Sequence, residues 1–123
     1  MIFGSGALIG FEKGKRSVGA LVAHALVTRQ PIHVPAVVVA EAWRGGARSA
    51  RQAMLLAGCR IEPLHDSVAR KAGEALARVR GATTIDAIVV ACAHALRLPL
   101  VTTDVDDMRA LAAHFGDVSL IEI

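Results

Sequence analysis

Apolar and polar positions alternate along this chain in short blocks, and the blocks predict a regular succession of strands and helices. Residues 1–4 form an apolar run suited to a short buried strand. Residues 5–12 (Ser-Gly-Ala-Leu-Ile-Gly-Phe-Glu) read as a short helix with Ser5 as its N-cap and Gly14 past its end. Apolar residues at 18, 21, 22, 25 and 26 follow helical spacing and predict a helix over 17–28. A strand is predicted at 32–34, then a helix over 35–44 with Pro35 in its first turn and Gly45-Gly46 as its stop. Further helices are predicted over 47–57, 67–80, 85–97 (capped by Thr83 or Thr84) and 105–114, and further strands over 59–64, 98–102 and 119–123.

The resulting order, βααβααβααβαβ, predicts an α/β fold of three layers, a central and mostly parallel sheet flanked by helices. Residues 1–123 read as a single domain, without internal repeat, linker or low-complexity segment. Ligands of such sheets sit at the carboxyl ends of the strands. Asp104 follows the strand at 98–102, and Glu41 and Asp86 lie on helices able to lean over the same end.

Composition narrows the function classes. Hydrophobic residues make up 54% of the chain, chiefly Ala, Val and Leu, with no Tyr. Four large aromatics (Phe3, Phe11, Trp43 and Phe115) argue against a surface that reads bases by aromatic stacking. Net charge is +3, carried by eleven Arg against three Lys, and Arg forks suit phosphate and carboxylate partners. Cys59 and Cys92 lie in apolar runs outside any CxxC spacing and read as buried free thiols of a reducing cytoplasm. The longest apolar run, Val34 to Ala40, falls far short of the ~20 residues a membrane span needs, and no signal peptide is visible. A cytoplasmic protein with no membrane partner is therefore expected. His24, His33, His65, His94 and His114 show no zinc-type spacing.

The chemistry is carried by three carboxylates within or beside apolar runs: Glu41 in Pro-Ala-Val-Val-Val-Ala-Glu-Ala-Trp (35–43), Asp86 at the start of Asp-Ala-Ile-Val-Val-Ala-Cys-Ala (86–93), and Asp104 at the end of Leu-Pro-Leu-Val-Thr-Thr-Asp (98–104). An ionised carboxylate among apolar groups is costly unless paired or bound to a cation, so a shared divalent metal site is the expectation. The bland alternatives are an Arg44 partner for Glu41 at i+3, helix-dipole compensation for Asp86, and helix capping for Asp104 with Asp107 three residues on. With only one cap needed there, Asp106 is a secondary candidate ligand.

In order along the chain stand Ser-Gly-Ala-Leu-Ile (5–9), Ala-Glu-Ala-Trp-Arg-Gly-Gly (40–46), Thr-Ile-Asp-Ala-Ile-Val-Val-Ala-Cys-Ala (84–93) and Val-Thr-Thr-Asp-Val-Asp-Asp-Met (101–108). Over its whole length this pattern resembles a PIN domain, in particular the toxin of VapBC toxin–antitoxin pairs. The resemblance implies a PIN-like three-layer fold. It implies an endoribonuclease dependent on Mg²⁺ or Mn²⁺, a VapB-type antitoxin that blocks the site, an RNA substrate and a homodimer. It makes Glu41, Asp86 and Asp104 the second, third and fourth acids of a four-acid metal cluster.

The chain departs from the family at the first acid, where Gly4 stands in place of Asp. Three readings follow: a natural degenerate member, an inactivating change, or a site that manages with a neighbour such as Asp106. The alternative function is accordingly an impaired PIN-domain protein that binds antitoxin or RNA without cutting. Ser5 and Arg44 are candidate phosphate contacts, as are Arg48, Arg51 and the turn Lys13, Lys15, Arg16. Trp43 reads as a core or interface anchor. A receiver-type phospho-acceptor would need an acidic pair after the first strand, where Gly4 and Ser5 stand.

Overall fold

The computed structural model of the chain describes residues 1–116 and 118–123. Its five strands are β1 (Ile2–Phe3), β2 (His33–Pro35), β3 (Arg60–Glu62), β4 (Leu100–Thr102) and β5 (Leu120–Glu122). They form one sheet in the order β3-β2-β1-β4-β5, and every neighbouring pair is parallel. Seven α-helices connect and cover it: α1 (Ser5–Glu12), α2 (Arg16–Thr28), α3 (Ala36–Ala42), α4 (Ala50–Ala57), α5 (Asp66–Arg78), α6 (Thr84–Leu96) and α7 (Val105–Phe115).

The strands are very short, yet their side chains are deeply buried at the centre: Ile2, Phe3, Leu100 and Val101 are each 0% exposed. Burial on both faces explains why these segments read as unbroken apolar runs. The helix α6 is equally continuous, with every residue from Ala87 to Ala93 buried, because α5 and α7 both pack on it.

The chain winds outward from β1 through β2 to β3, then crosses back to add β4 and β5 on the other side of β1. The reversal lies between β1 and β4, where Ile2 pairs with Leu100 and Phe3 with Val101. A crevice opens at the carboxyl ends of strands flanking such a reversal. Gly4 and Asp104 stand there, one just past each strand.

Four local expectations are corrected. Gly4, not Ser5, is the N-cap of α1; its carbonyl accepts from Ala7 and Leu8, and no side chain caps the helix. Pro35 ends β2 in an extended conformation (φ −60°, ψ 139°) and precedes the helix it was expected to begin. The helix α3 stops at Ala42, since Trp43 is extended (φ −73°, ψ 133°). The helix expected over 47–57 is broken into a 3₁₀ turn, Gly46–Ser49, followed by α4. The cause of the break is Ser49, 1% exposed, whose hydroxyl accepts from the backbone N–H groups of Arg44 and Gly45, both at 3.0 Å.

Candidate active site

Thr83 caps α6, its hydroxyl accepting from the Asp86 N–H at 3.1 Å, and this fixes Asp86 in the first turn of a rigid, buried helix. Asp86 is half-buried. Its carboxyl is raised above the usual carboxylate range, first by loss of solvent and then by the negative charges of Glu41, Asp104 and Asp107, with the Thr83 contact opposing. Asp86 thus lies in the field of three further acids, Glu41 on α3, Asp104 just before α7 and Asp107 on α7.

Asp104 occupies the N-cap position of α7, yet its side chain caps nothing. Its own N–H is held by the buried Thr102 hydroxyl at 3.0 Å, which orients the residue while leaving the carboxylate free of the helix. The capping alternative for Asp104 is therefore not realised.

The expectation that all three carboxylates sit among apolar side chains is corrected. Glu41 and Asp104 are exposed, and only Asp86 is partly covered. The reason is positional: each acid lies at the end of its apolar run, where the element leaves the core. The helical pair of Glu41 with Arg44 is also absent. Because α3 ends before Arg44, no i+3 geometry exists between them, and the Arg44 guanidinium bonds the Trp43 carbonyl at 2.8 Å instead.

The Asp106 side chain is 97% exposed, its carboxylate is paired with Arg109 at 3.3 Å, and it is not among the charges that raise Asp86. The neighbour that Asp86 senses is Asp107. Sequence reading weighed Asp107 only as a capping partner; its i+3 spacing from Asp104 placed both on one helical face. Asp104, Asp106 and Asp107, with Thr103, Val105 and Glu122, also line an open cavity of about 240 Å³.

Ser5 begins α1 beside this end, half-buried, with no hydrogen bond from its hydroxyl among the described residues. Gly4 itself is buried at the exit of β1, its N–H bonded to the Val101 carbonyl at 3.1 Å. The backbone there (φ −79°) accepts any residue, and a Cβ would lie 3.3 Å from the Val101 carbonyl oxygen.

Residues 5–113 match the sequence profile of the PIN domain. The chain belongs to the PIN domain family. Among solved structures, this PIN domain is similar to a chain of the VapBC2 complex from Rickettsia felis bound to a DNA fragment from its promoter. That likeness has a TM-score of 0.80 at 14% identity and covers 100% of this chain and 99% of the other. It is similar to a chain of a toxin–antitoxin complex from Klebsiella pneumoniae, with a TM-score of 0.74 at 23% identity over 99% and 98%. It is also similar to a chain of FitAB bound to the IR36 DNA fragment, with a TM-score of 0.72 at 17% identity over 99% and 94%. At these identities the likenesses establish the three-layer PIN-like fold. No curated protein sequence matches at a significant level.

The donors at this PIN site are carboxylate oxygens, the ligand type of hard divalent cations. Among the described residues no three His, Cys, Asp or Glu side chains converge into a ready cage. One or two carboxylates are enough for a hard divalent cation whose shell is completed by water and phosphate oxygens, so the donor type at this site is compatible with such an ion. Among the described residues, no helix is long and apolar enough to cross a membrane.

Proposed function

We propose that this PIN domain is a metal-dependent endoribonuclease, the toxin of a VapBC-type pair. The observation that supports the reading is the position of Asp86, which lies near enough to Glu41 and Asp104 to feel the charge of both. Like charges gathered without a cationic partner repel, and a divalent cation removes that cost.

Glu41, Asp86 and Asp104 are the residues that would hold Mg²⁺ or Mn²⁺. The chemistry such an ion supplies there is activation of water and neutralisation of charge on the scissile phosphate. Asp86 is fixed by Thr83 and α6, Asp104 by Thr102, so two carboxylates are held ready on rigid supports. Ser5 and Arg44 present a hydroxyl and a guanidinium for phosphate oxygens at the two sides of this end.

An antitoxin partner is supported by a separate surface. Leu26, Val27 and Met54 are 76%, 83% and 67% exposed, and Leu26 and Met54 line an apolar groove of about 300 Å³ with Phe11, Val22 and Leu55. Contiguous exposed apolar surface of this kind marks a protein-binding face. The similar folds in the Rickettsia and Klebsiella structures belong to complexes of a toxin with an antitoxin. Exposed Ile61, Leu64 and Leu96 offer a further apolar surface for a second copy of the chain.

Gly4 favours a second reading, a PIN domain that binds RNA or antitoxin without cutting. Calorimetry with Mn²⁺ on this chain, on Asp86→Asn and on Gly4→Asp, followed by an RNA cleavage assay, separates the two. Binding by this chain that Asp86→Asn abolishes, with metal-dependent cleavage, supports the nuclease. Binding by Gly4→Asp alone supports the impaired protein. If none of the three binds Mn²⁺, the site assignment is wrong.

A further inference from the structure

We infer that Trp43 and a strip of six cations form a track for single-stranded RNA running from the acidic site across α4 to the turn between α1 and α2. The inference rests on the nuclease reading for its choice of RNA and adds the path of the substrate.

Trp43 is the only Trp of the chain, and it stands 39% exposed outside the hydrophobic core. It follows Glu41 by two residues, at the point where α3 breaks off. Gly45 has no Cβ to lie on the indole, where one would come into van der Waals contact with Nε1 at 3.9 Å. The expectation of a core anchor is thus not met, and an exposed aromatic face beside the acids is left. Bases without a pairing partner stack on such faces.

The cations continue from it. Ser49 pins the backbone at Arg44 and Gly45, so the turn carrying Arg44 and Arg48 is held rigid. Arg51 lies over the Phe11 ring, 5.6 Å from its centroid, and its Nη1 is 3.8 Å from where a Cβ on Gly14 would be. This brings Arg51 against the turn bearing Lys13, Lys15 and Arg16. Gln52, 0% exposed, clamps the end of α1 to α4 by donating to Glu12 at 2.8 Å. Glu12, the acid nearest these cations in sequence, is occupied by that amide.

Among the described residues, none of the six cations has a carboxylate within 4.0 Å, in contrast to Arg70 and Arg109 elsewhere. Positive charges gathered on one face without carboxylate partners repel one another, and a polyanion relieves that repulsion. Charge identifies a phosphate backbone. The adjoining indole identifies a single strand, because a duplex hides its base faces.

The test is fluorescence titration of the full chain with a short single-stranded RNA in metal-free buffer containing EDTA, reading Trp43 emission directly. Fluorescein-labelled RNA gives an independent affinity by anisotropy. Saturable quenching is expected, with single strand preferred to the same sequence as duplex. Trp43→Ala should weaken binding roughly 5–100-fold, while Trp43→Phe keeps most of it. Lys15→Gln and Arg51→Gln should each weaken it and lower the slope of log K against log salt by about 0.7. Lys15 is exposed and Gln keeps most of its stem, so its variant stands even if loss of the Phe11 contact disturbs Arg51→Gln. Three results overturn the track: no binding, affinities unchanged in the variants, or Trp43 emission that follows protein concentration and not RNA, which would make this face a contact between copies. Because no metal is present, failure of the nuclease reading shows in the cleavage assay and leaves this measurement intact.

Discussion

Gly6, one residue into α1, lies directly against Thr103 at the exit of β4: a methyl group at position 6 would sit 2.4 Å from the Thr103 hydroxyl oxygen. Thr103 immediately precedes Asp104. Gly6→Ala should therefore push Thr103 outward, costing about 1–3 kcal/mol of stability as overpacking does. The displaced Asp104 should bind Mn²⁺ more weakly. Thermal unfolding and calorimetry on the same preparation would show both effects; an unchanged Mn²⁺ affinity would mean that Asp104 does not depend on this contact.

Asp86 sets a pH dependence. Its carboxyl is raised in the folded protein by burial and by Glu41, Asp104 and Asp107. The folded state thus holds this proton more tightly than the unfolded chain does, and stability falls as pH rises through the folded-state value. At pH 7, without metal, Asp86→Asn should be the more stable protein. The gain should be at most about 1 kcal/mol, because the group is half-exposed. It should vanish below pH ~3.9, where the unfolded chain is protonated too. Saturating Mn²⁺ should reverse the order by stabilising only the parent chain. Melting curves across pH, with and without Mn²⁺, read all three.

Asp107 and Asp106 should part company. Asp107→Asn removes a charge that Asp86 feels, so it should weaken Mn²⁺ binding several-fold. Asp106→Asn loses only an exposed pair with Arg109, and its effect should stay within about 0.5 kcal/mol in stability, with metal affinity unchanged. Equal effects of the two on Mn²⁺ binding would return Asp106 to the site.

Away from the site, His33 on β2 and Glu62 on β3 meet at 2.6 Å, with side chains 10% and 23% exposed. This contact fastens the edge strand to its neighbour. Glu62→Ala should cost about 1.5–3 kcal/mol, a typical value for a hydrogen bond involving a charged partner. Denaturant unfolding would measure it, and a loss below about 0.5 kcal/mol would show that β3 is held by its backbone alone.

The block pattern of the sequence revealed the succession of elements because each element is short, apolar and closed by Gly, Pro or a capping residue. Thr83 before α6 and Gly116 after α7 mark their helices in the structure as they do in the sequence. The alternation of strands and helices pointed to the carboxyl ends of a parallel sheet, while the order of the strands, and so the reversal between β1 and β4, emerged only from the structure. What escaped was tertiary in origin. A single buried hydroxyl, Ser49, breaks what reads as one helix from 47 to 57, and nothing in that stretch signals that its partners lie at Arg44 and Gly45. The apolar neighbours of Glu41 suggested burial, but α3 is only 7 residues long and Glu41 lies in its last turn, where the core has ended. Asp106 and Asp107 are adjacent in sequence, and only the direction of the helix decides which one faces Asp86.

The pairing of β1 with β4 has a consequence for the timing of synthesis. Ile2 is made well before its partner Leu100 and before Asp104, which follow it by 98 and 102 residues. Until β4 emerges from the ribosome, β1 lacks one of its two neighbours, Gly6 has no Thr103 to rest against, and Asp86 has no Asp104 beside it. At about 5–20 residues per second, a nascent chain spends several seconds with its central strand half-paired and its acids apart. The nascent polypeptide therefore lacks both its complete central sheet and its full set of neighbouring acids until β4 and Asp104 have been made.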